Sequence, residues 1–240
     1  MKFDVLTIFP EMFASLEHSI LGRAQENNLI DINLINIRDF SKDKHKKVDD
    51  TPYGGGAGMV MKADVIYDSY CSIKNRNKAK VIYMSPQGNV LNQKKVEKLS
   101  KEKHLILLCG HYEGIDQRII NEIVDEEISI GDYVLTGGEI PAMVLIDSVC
   151  RYVEGVITKE SIGEESFSNG LLEYPQYTRP ETFKDQNVPE VLRSGNHQNI
   201  KKWRREQSLK NTYLKRPELL KKIDMSQEEK EMLKKLSEVL

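Results

Sequence analysis

The sequence predicts an α/β protein built on a parallel sheet with helices on both faces, followed by a small all-helical C-terminal domain. Three observations predict it. Short apolar runs of strand length alternate with segments of helical period along the first 150 residues. Three of those runs end in turn-rich loops, SPQG at 85–88, GHYEG at 110–114 and GDYVLTGGE at 131–139. In an open α/β sheet, loops at the carboxyl ends of strands converge on the ligand site. After residue 189 the strand pattern stops and only helical patterning remains.

Residues 2–9 alternate well enough for a strand, and Pro10 suits the first turn of a helix through Phe13 and Leu16. Residues 30–37 set Ile30, Ile32, Leu34 and Ile37 against Asp31, Asn33 and Asn36, the pattern of a half-buried strand. A polar loop then carries KDKHKKVDDTPYGGGAGM. Its glycines match neither GxxxxGK[ST] nor GxGxxG. A flexible loop and a loop laying bare backbone against a ligand both remain open. Lys44, His45, Lys46 and Lys47 beside it are a solvated face or a phosphate contact.

Residues 63–73 read as a helix, 81–84 as a buried strand ending at the 85–88 loop, and 93–99 as a helix with Lys and Glu outward. Strands follow at 104–108 and 128–130, each with its loop and a helix-like segment. Residues 141–152 form an amphipathic helix with Pro141 in its first turn. The stretch 157–188 is rich in Ser, Pro and carboxylates without clear period, and reads as a linker or lid. Asn196 caps a helix running to about Leu214, Pro217 starts another, and Ser226 with Glu229 forms a capping box for the last. The expected organisation is 1–156, 157–188 and 189–240.

The totals bound the function. A formal net charge of −2 excludes a chain that is basic throughout, so nucleic-acid binding requires a local patch. One exists: Lys201, Lys202, Arg204, Arg205, Lys210, Lys215, Arg216, Lys221 and Lys222 face only Glu206 and Glu218, with Trp203 and Tyr213 interleaved. Trp203 is expected as a core anchor rather than a stacking platform. Cys71, Cys109 and Cys150 are odd in number and widely spaced, without a zinc pattern, as in a reduced cytosolic protein. With neither a signal peptide nor an apolar run of about 20 residues, the expected location is the cytoplasm. No glycine fingerprint opens a helix at dinucleotide spacing, which disfavours an oxidoreductase.

LTIFPEMF, VDDTPYGGGAGMVM, YMSPQG, CGHYEGID, SIGDYVLTGGEIPAM, GLLEYPQYTRP and RSGNHQNIKKWRREQSL occur in this order. With these motifs the chain resembles the bacterial tRNA (guanine-N1)-methyltransferases, the TrmD family, over essentially its whole length. The resemblance implies a SPOUT-class fold with a deep trefoil knot. It also implies a homodimer with active sites at the subunit interface, and methylation of guanine 37 of tRNA, next to the anticodon. S-adenosylmethionine would be held by Tyr83, Met84, Ser85 and Pro86, by Gly110, Tyr112, Glu113 and Gly114, and by Ile130, Gly131, Tyr133, Leu135, Gly137, Gly138 and Pro141. Dependence on Mg²⁺ is implied too. No cage of oxygen ligands is evident, and Glu113 is the carboxylate nearest the cofactor loops.

By the same resemblance Arg151 is the catalytic cation, and the general base stands immediately before Ser-Phe. The family has aspartate there, whereas this sequence has Glu165, which keeps the carboxylate and adds a methylene. Asn169 stands where many members have Asp, and Glu173 is the other acidic candidate. A ribose 2′-O-methyltransferase of the same superfamily and a catalytically silent RNA-binding protein are the competing readings. The acid before Ser-Phe and the basic helices favour base methylation.

Overall fold

A computed structural model describes residues 1–158 and 163–237, and the chain divides into two compact units, Met1–Thr158 and Lys159–Leu240. In the first unit five strands form one parallel sheet: β1 (Lys2–Thr7), β2 (Asp31–Asn36), β5 (Lys80–Val90), β6 (His104–Cys109) and β7 (Glu126–Ser129), in the order β2-β1-β6-β5-β7. A two-residue pair, β3 (Asp49–Asp50) with β4 (Val60–Met61), closes the glycine-rich loop.

Strand alternation divides the core into two. Phe3, Val5, Ile82, Met84, Leu105 and Leu107 face one side, against α1 (Ser19–Glu26), α3 (Gln93–Leu99), α5 (Glu139–Cys150) and the 3-10 helix Pro10–Glu17. Leu6, Val81, Tyr83, Ile106 and Leu108 face the other, against α2 (Ala63–Cys71) and α4 (Gln117–Ile123). The central strand β6 is apolar on both faces, as a doubly covered parallel strand must be. Among the described residues no helix is long and apolar enough to cross a membrane.

Two expectations change. The segment after Pro10 is a 3-10 helix, and a further α-helix, α1, follows it with Leu21 and Ala24 buried. The loop 85–88 does not end its strand. β5 pairs with β7 as far as Met84↔Ile128, shifts register, and pairs again at Asn89↔Ile128 and Val90↔Ser129. Pro86 cannot donate to the ladder, so the chain bulges outward there. Gly88 lets it return: a Cβ at that position would overlap the Glu127–Ile128 peptide.

The second unit contains α6 (Glu190–Arg193), α7 (His197–Lys215), a 3-10 helix (Pro217–Lys222) and α8 (Gln227–Ser237). The Asn196 side chain caps α7 through the Asn199 N–H at 3.2 Å. The capping box of α8 is complete: the Ser226 N–H donates to Glu229 at 2.9 Å, and the Glu229 N–H to Ser226 Oγ at 3.2 Å. This unit also has a short hairpin, β8 (Thr182–Phe183) with β9 (Gln186–Asn187), inside the stretch read as linker. Lys184 and Asp185 both take positive φ, as a two-residue primed turn requires. Residues 163–174 are folded against α7, with Leu171 buried between Leu209 and Leu233. Trp203 lies outside that cluster, half-buried, with its ring 6.3 Å from Tyr177.

Candidate active site

The bulge of β5, the loop after β6 and the loop between β7 and α5 meet at the carboxyl end of the sheet. Their meeting is a backbone contact. The Gly138 N–H donates to the Gly110 carbonyl at 2.8 Å, and His111 bridges to Gly137 in antiparallel fashion. A Cβ on Gly138 would lie 2.8 Å from Cys109 Cα and 3.0 Å from Gly110 N. Gly138 is at φ −84°, so it is required by the close approach and not by its conformation.

Two adjoining cavities open around this crossing, of about 60 and 270 Å³. The smaller is lined by Met84, Ser85, Pro86, Ile130, Gly131, Tyr133, Leu135, Gly137 and Pro141, with Ile128, Ser129 and Val134. The larger shares Met84, Ser85, Pro86, Leu135 and Gly137 and adds Tyr83, Gly110, Tyr112, Glu113 and Gly114. Every cofactor residue expected from the sequence thus lines one cavity or the other except Gly138, which lies beneath them as the crossing point.

The walls suit S-adenosylmethionine. Met84, Pro86, Ile130, Leu135 and Pro141 supply apolar surface for a flat base, while Ser85, Gln87 and Glu127 supply polar groups for ribose and the amino-acid end. At Gly114, with φ +132°, a Cβ would meet nothing within 4 Å, so bare backbone faces the larger cavity. Burial pushes the Tyr83 hydroxyl up to about 12, so it stays a neutral donor. Mg²⁺ is different. Among the described residues no group of three or more His, Cys, Asp or Glu side chains converges.

The glycine-rich loop is tethered to the loop after β6. The Glu113 N–H donates to the Met59 carbonyl at 3.0 Å, and the Met61 N–H to Gly114 at 2.9 Å. Gly58 packs against the Glu113 side chain. Beyond the tether, Cβ atoms at Gly54, Gly55 and Gly56 would meet nothing, and Tyr53 is fully exposed.

A buried group under the crossing had no signal in the sequence. Glu139 is 1% exposed and accepts from Thr7 Oγ1 at 2.9 Å. Its other oxygen lies 3.9 Å from His111 Nδ1, a buried nitrogen without a hydrogen-bond partner. An acidic residue in the first turn of a helix is ordinarily solvated, and Thr7 is 132 residues away in sequence. Beside them Phe9, Met12, His111, Thr136 and Ile140 line a further cavity of about 280 Å³. Burial, and then the nearby Glu139 charge, hold the Cys109 thiol well above its ordinary range, so it is no nucleophile.

Arg151 follows α5 directly, half-buried, with its N–H donating to the Asp147 carbonyl. Glu165 belongs to the second unit, half-buried in the turn folded on α7, where its carbonyl accepts the N–H and hydroxyl of Ser168 at 3.2 and 2.8 Å. Glu173 lies in the same turn, and its N–H donates to Ser166 Oγ at 3.0 Å. The basic surface is thinner than its composition suggests. Arg204, Arg205 and Arg216 pair with Glu164, Glu229 and Glu218. Among the described residues Lys201, Lys202, Lys210, Lys215, Lys221 and Lys222 have no ion pair within 4 Å.

The chain is similar to known proteins over nearly its whole length. The family model described as tRNA (Guanine-1)-methyltransferase TrmD matches residues 1–222. A tRNA (guanine-N(1)-)-methyltransferase of Ruminiclostridium cellulolyticum is 63% identical over 227 residues, covering 93% of this chain and 97% of its own. One from Clostridium botulinum (strain Langeland) is 56% identical over 241 residues and the whole of both chains. Another from Clostridium novyi is 57% identical over 97% of each. The chain belongs to the TrmD family of tRNA (guanine-1)-methyltransferases.

Proposed function

We propose that the protein methylates N1 of guanine 37 of tRNA, next to the anticodon, in the cytoplasm, with S-adenosylmethionine as donor. The observation that carries the reading is the three-loop cleft, crossed at Gly110 and Gly138, in a chain that belongs to this family. The reading includes threading of these loops as a deep trefoil knot, a tRNA-binding role for the helical segment 189–240, and a homodimer with shared active sites. Exposed Ile140 and Val144, one turn apart on α5, support the last.

S-adenosylmethionine, when bound, supplies an electrophilic methyl that needs little activation. The acceptor needs more, because guanine N1 carries a proton at neutral pH. In this reading the Glu165 carboxylate would accept that proton: the N1–H bond breaks, an O–H bond forms on Glu165, and the freed pair makes the N1–methyl bond as the methyl's bond to sulfur breaks, its electrons leaving with sulfur as a neutral thioether. Charge left on guanine O6 meets the Arg151 guanidinium. The apolar walls at Met84, Ile130 and Leu135 keep water from competing for the charge.

Mass spectrometry of tRNA digested after incubation with enzyme and S-adenosylmethionine should place one methyl on guanine N1 at position 37. A methyl on ribose would refute the assignment. Glu165→Gln should slow single-turnover transfer by about 10²–10⁴-fold. Arg151→Ala should slow it by about 10²–10³-fold, and both variants should bind S-adenosylmethionine as the wild type does. A wild-type rate in either variant removes that residue from the mechanism.

A further inference from the structure

Glu165 is held from both sides. On its C-terminal side the turn is closed by the Phe167 N–H donating to the Leu171 carbonyl at 2.7 Å, and it docks on α7 through the Leu172 N–H to Thr212 Oγ1 at 2.9 Å and Asn211 Nδ2 to the Glu173 carbonyl at 3.0 Å. On its N-terminal side the hold is ionic. Glu164 Oε2 accepts from Arg204 Nη1 at 2.8 Å and from the Tyr174 hydroxyl at 2.5 Å. The Arg204 guanidinium also stacks on the Tyr174 ring, 4.6 Å from its centroid.

Arg204, Asn211 and Thr212 stand at i, i+7 and i+8 on α7, so one helix face makes the contacts to Glu164, Leu172 and Glu173. Arg204 Nε is buried without a hydrogen-bond partner. Glu164 is engaged by two donors at one oxygen, and the residue next to it, Glu165, is the acid immediately before Ser-Phe.

We propose that Arg204, with Tyr174, is a positioning residue that grips Glu164 and thereby aims the adjacent Glu165 carboxylate for proton removal. The proposal rests on the reading of Glu165 as the base. It takes Arg204 out of the set of tRNA phosphate contacts and gives α7 a part in the chemistry.

The test uses the full-length enzyme with saturating tRNA and S-adenosylmethionine. Arg204→Ala should slow single-turnover transfer by about 30–100-fold, the scale of a small misplacement of a reacting group. Its S-adenosylmethionine affinity should be unchanged, and amide exchange at Phe167 and Leu172 should be faster. Arg204→Lys, which keeps a donor but loses the stacked fork, should recover part of the rate. Tyr174→Phe, a milder change that preserves the fold, should cost about 5-fold through one lost hydrogen bond. A wild-type saturated rate in Arg204→Ala, or a loss confined to the tRNA KM, overturns the proposal. If Glu165→Gln keeps the wild-type rate, the base assignment fails separately. The grip on the turn is then judged by exchange, and unchanged protection in Arg204→Ala removes it as well.

Discussion

Gly138 shows how much of the site depends on one missing methyl group. Its backbone N–H reaches the Gly110 carbonyl because no Cβ separates the two chains. The nearest atoms to an added Cβ are backbone, which cannot swing aside as a side-chain end can. Gly138→Ala should therefore push the two loops apart at an overpacking cost of about 1–3 kcal/mol. Calorimetry should find S-adenosylmethionine affinity reduced at least about 10-fold, the equivalent of 1.4 kcal/mol. Unchanged affinity would mean that the crossing adapts and does not shape the cavity. The neighbouring Glu139 acts differently. Its hydrogen bond from Thr7 ties the start of α5 to the end of β1, so the third loop is anchored to the central sheet.

Among the elements, α8 carries the most direct stability prediction. Glu229 closes the capping box with Ser226 and also accepts from Arg205 Nε at 2.8 Å, and that hydrogen bond holds its carboxyl below the ordinary range. A carboxyl whose folded pKa is depressed stabilises the fold above its unfolded pKa of about 4.3. That contribution is lost as pH falls through the lower folded value. Glu229→Gln should therefore lower the melting temperature at pH 7, by an amount equivalent to about 1 kcal/mol, and by much less near pH 3. An equal deficit at both values would show that Glu229 acts through its shape alone. This cap was legible in advance because Ser226 and Glu229 are three residues apart and both halves of the device are local. The sheet strands were legible for the same reason, the outer ones through a period of two and the central ones through short unbroken apolar runs. The return of β5 after its bulge was not, since it depends on Gly88 meeting a peptide almost forty residues later. Residue types disclosed the turn-rich loops at the strand ends, but the Thr7–Glu139 bond and the docking of 163–174 on α7 arise only when distant segments meet. The hairpin at 182–187 escaped because Lys184-Asp185 is a weak signal for a turn usually made by Asn-Gly.

At the scale of the whole molecule, the two proposed catalytic groups belong to different compact units, Arg151 to the first and Glu165 to the second. A homodimer with sites at its interface can draw them from different chains. The apolar surface for such an interface is present: Ile140 and Val144 on α5 and Met12 on the neighbouring 3-10 helix are each about two-fifths exposed. Symmetric pairing would bury the same patch on both subunits. Mixing inactive subunits tests the sharing directly. In a heterodimer of Arg151→Ala with Glu165→Gln, shared sites place both defects in one site and leave the other with wild-type Arg151 and Glu165. Random reassortment of equal amounts makes half the dimers mixed, so activity should return to about a quarter of the wild-type value. Sites built within one chain would each retain a defect, and mixing would recover nothing. Ile140→Glu with Val144→Glu should give monomers by sedimentation equilibrium and abolish that recovery, because separated subunits have no second chain from which to borrow Glu165.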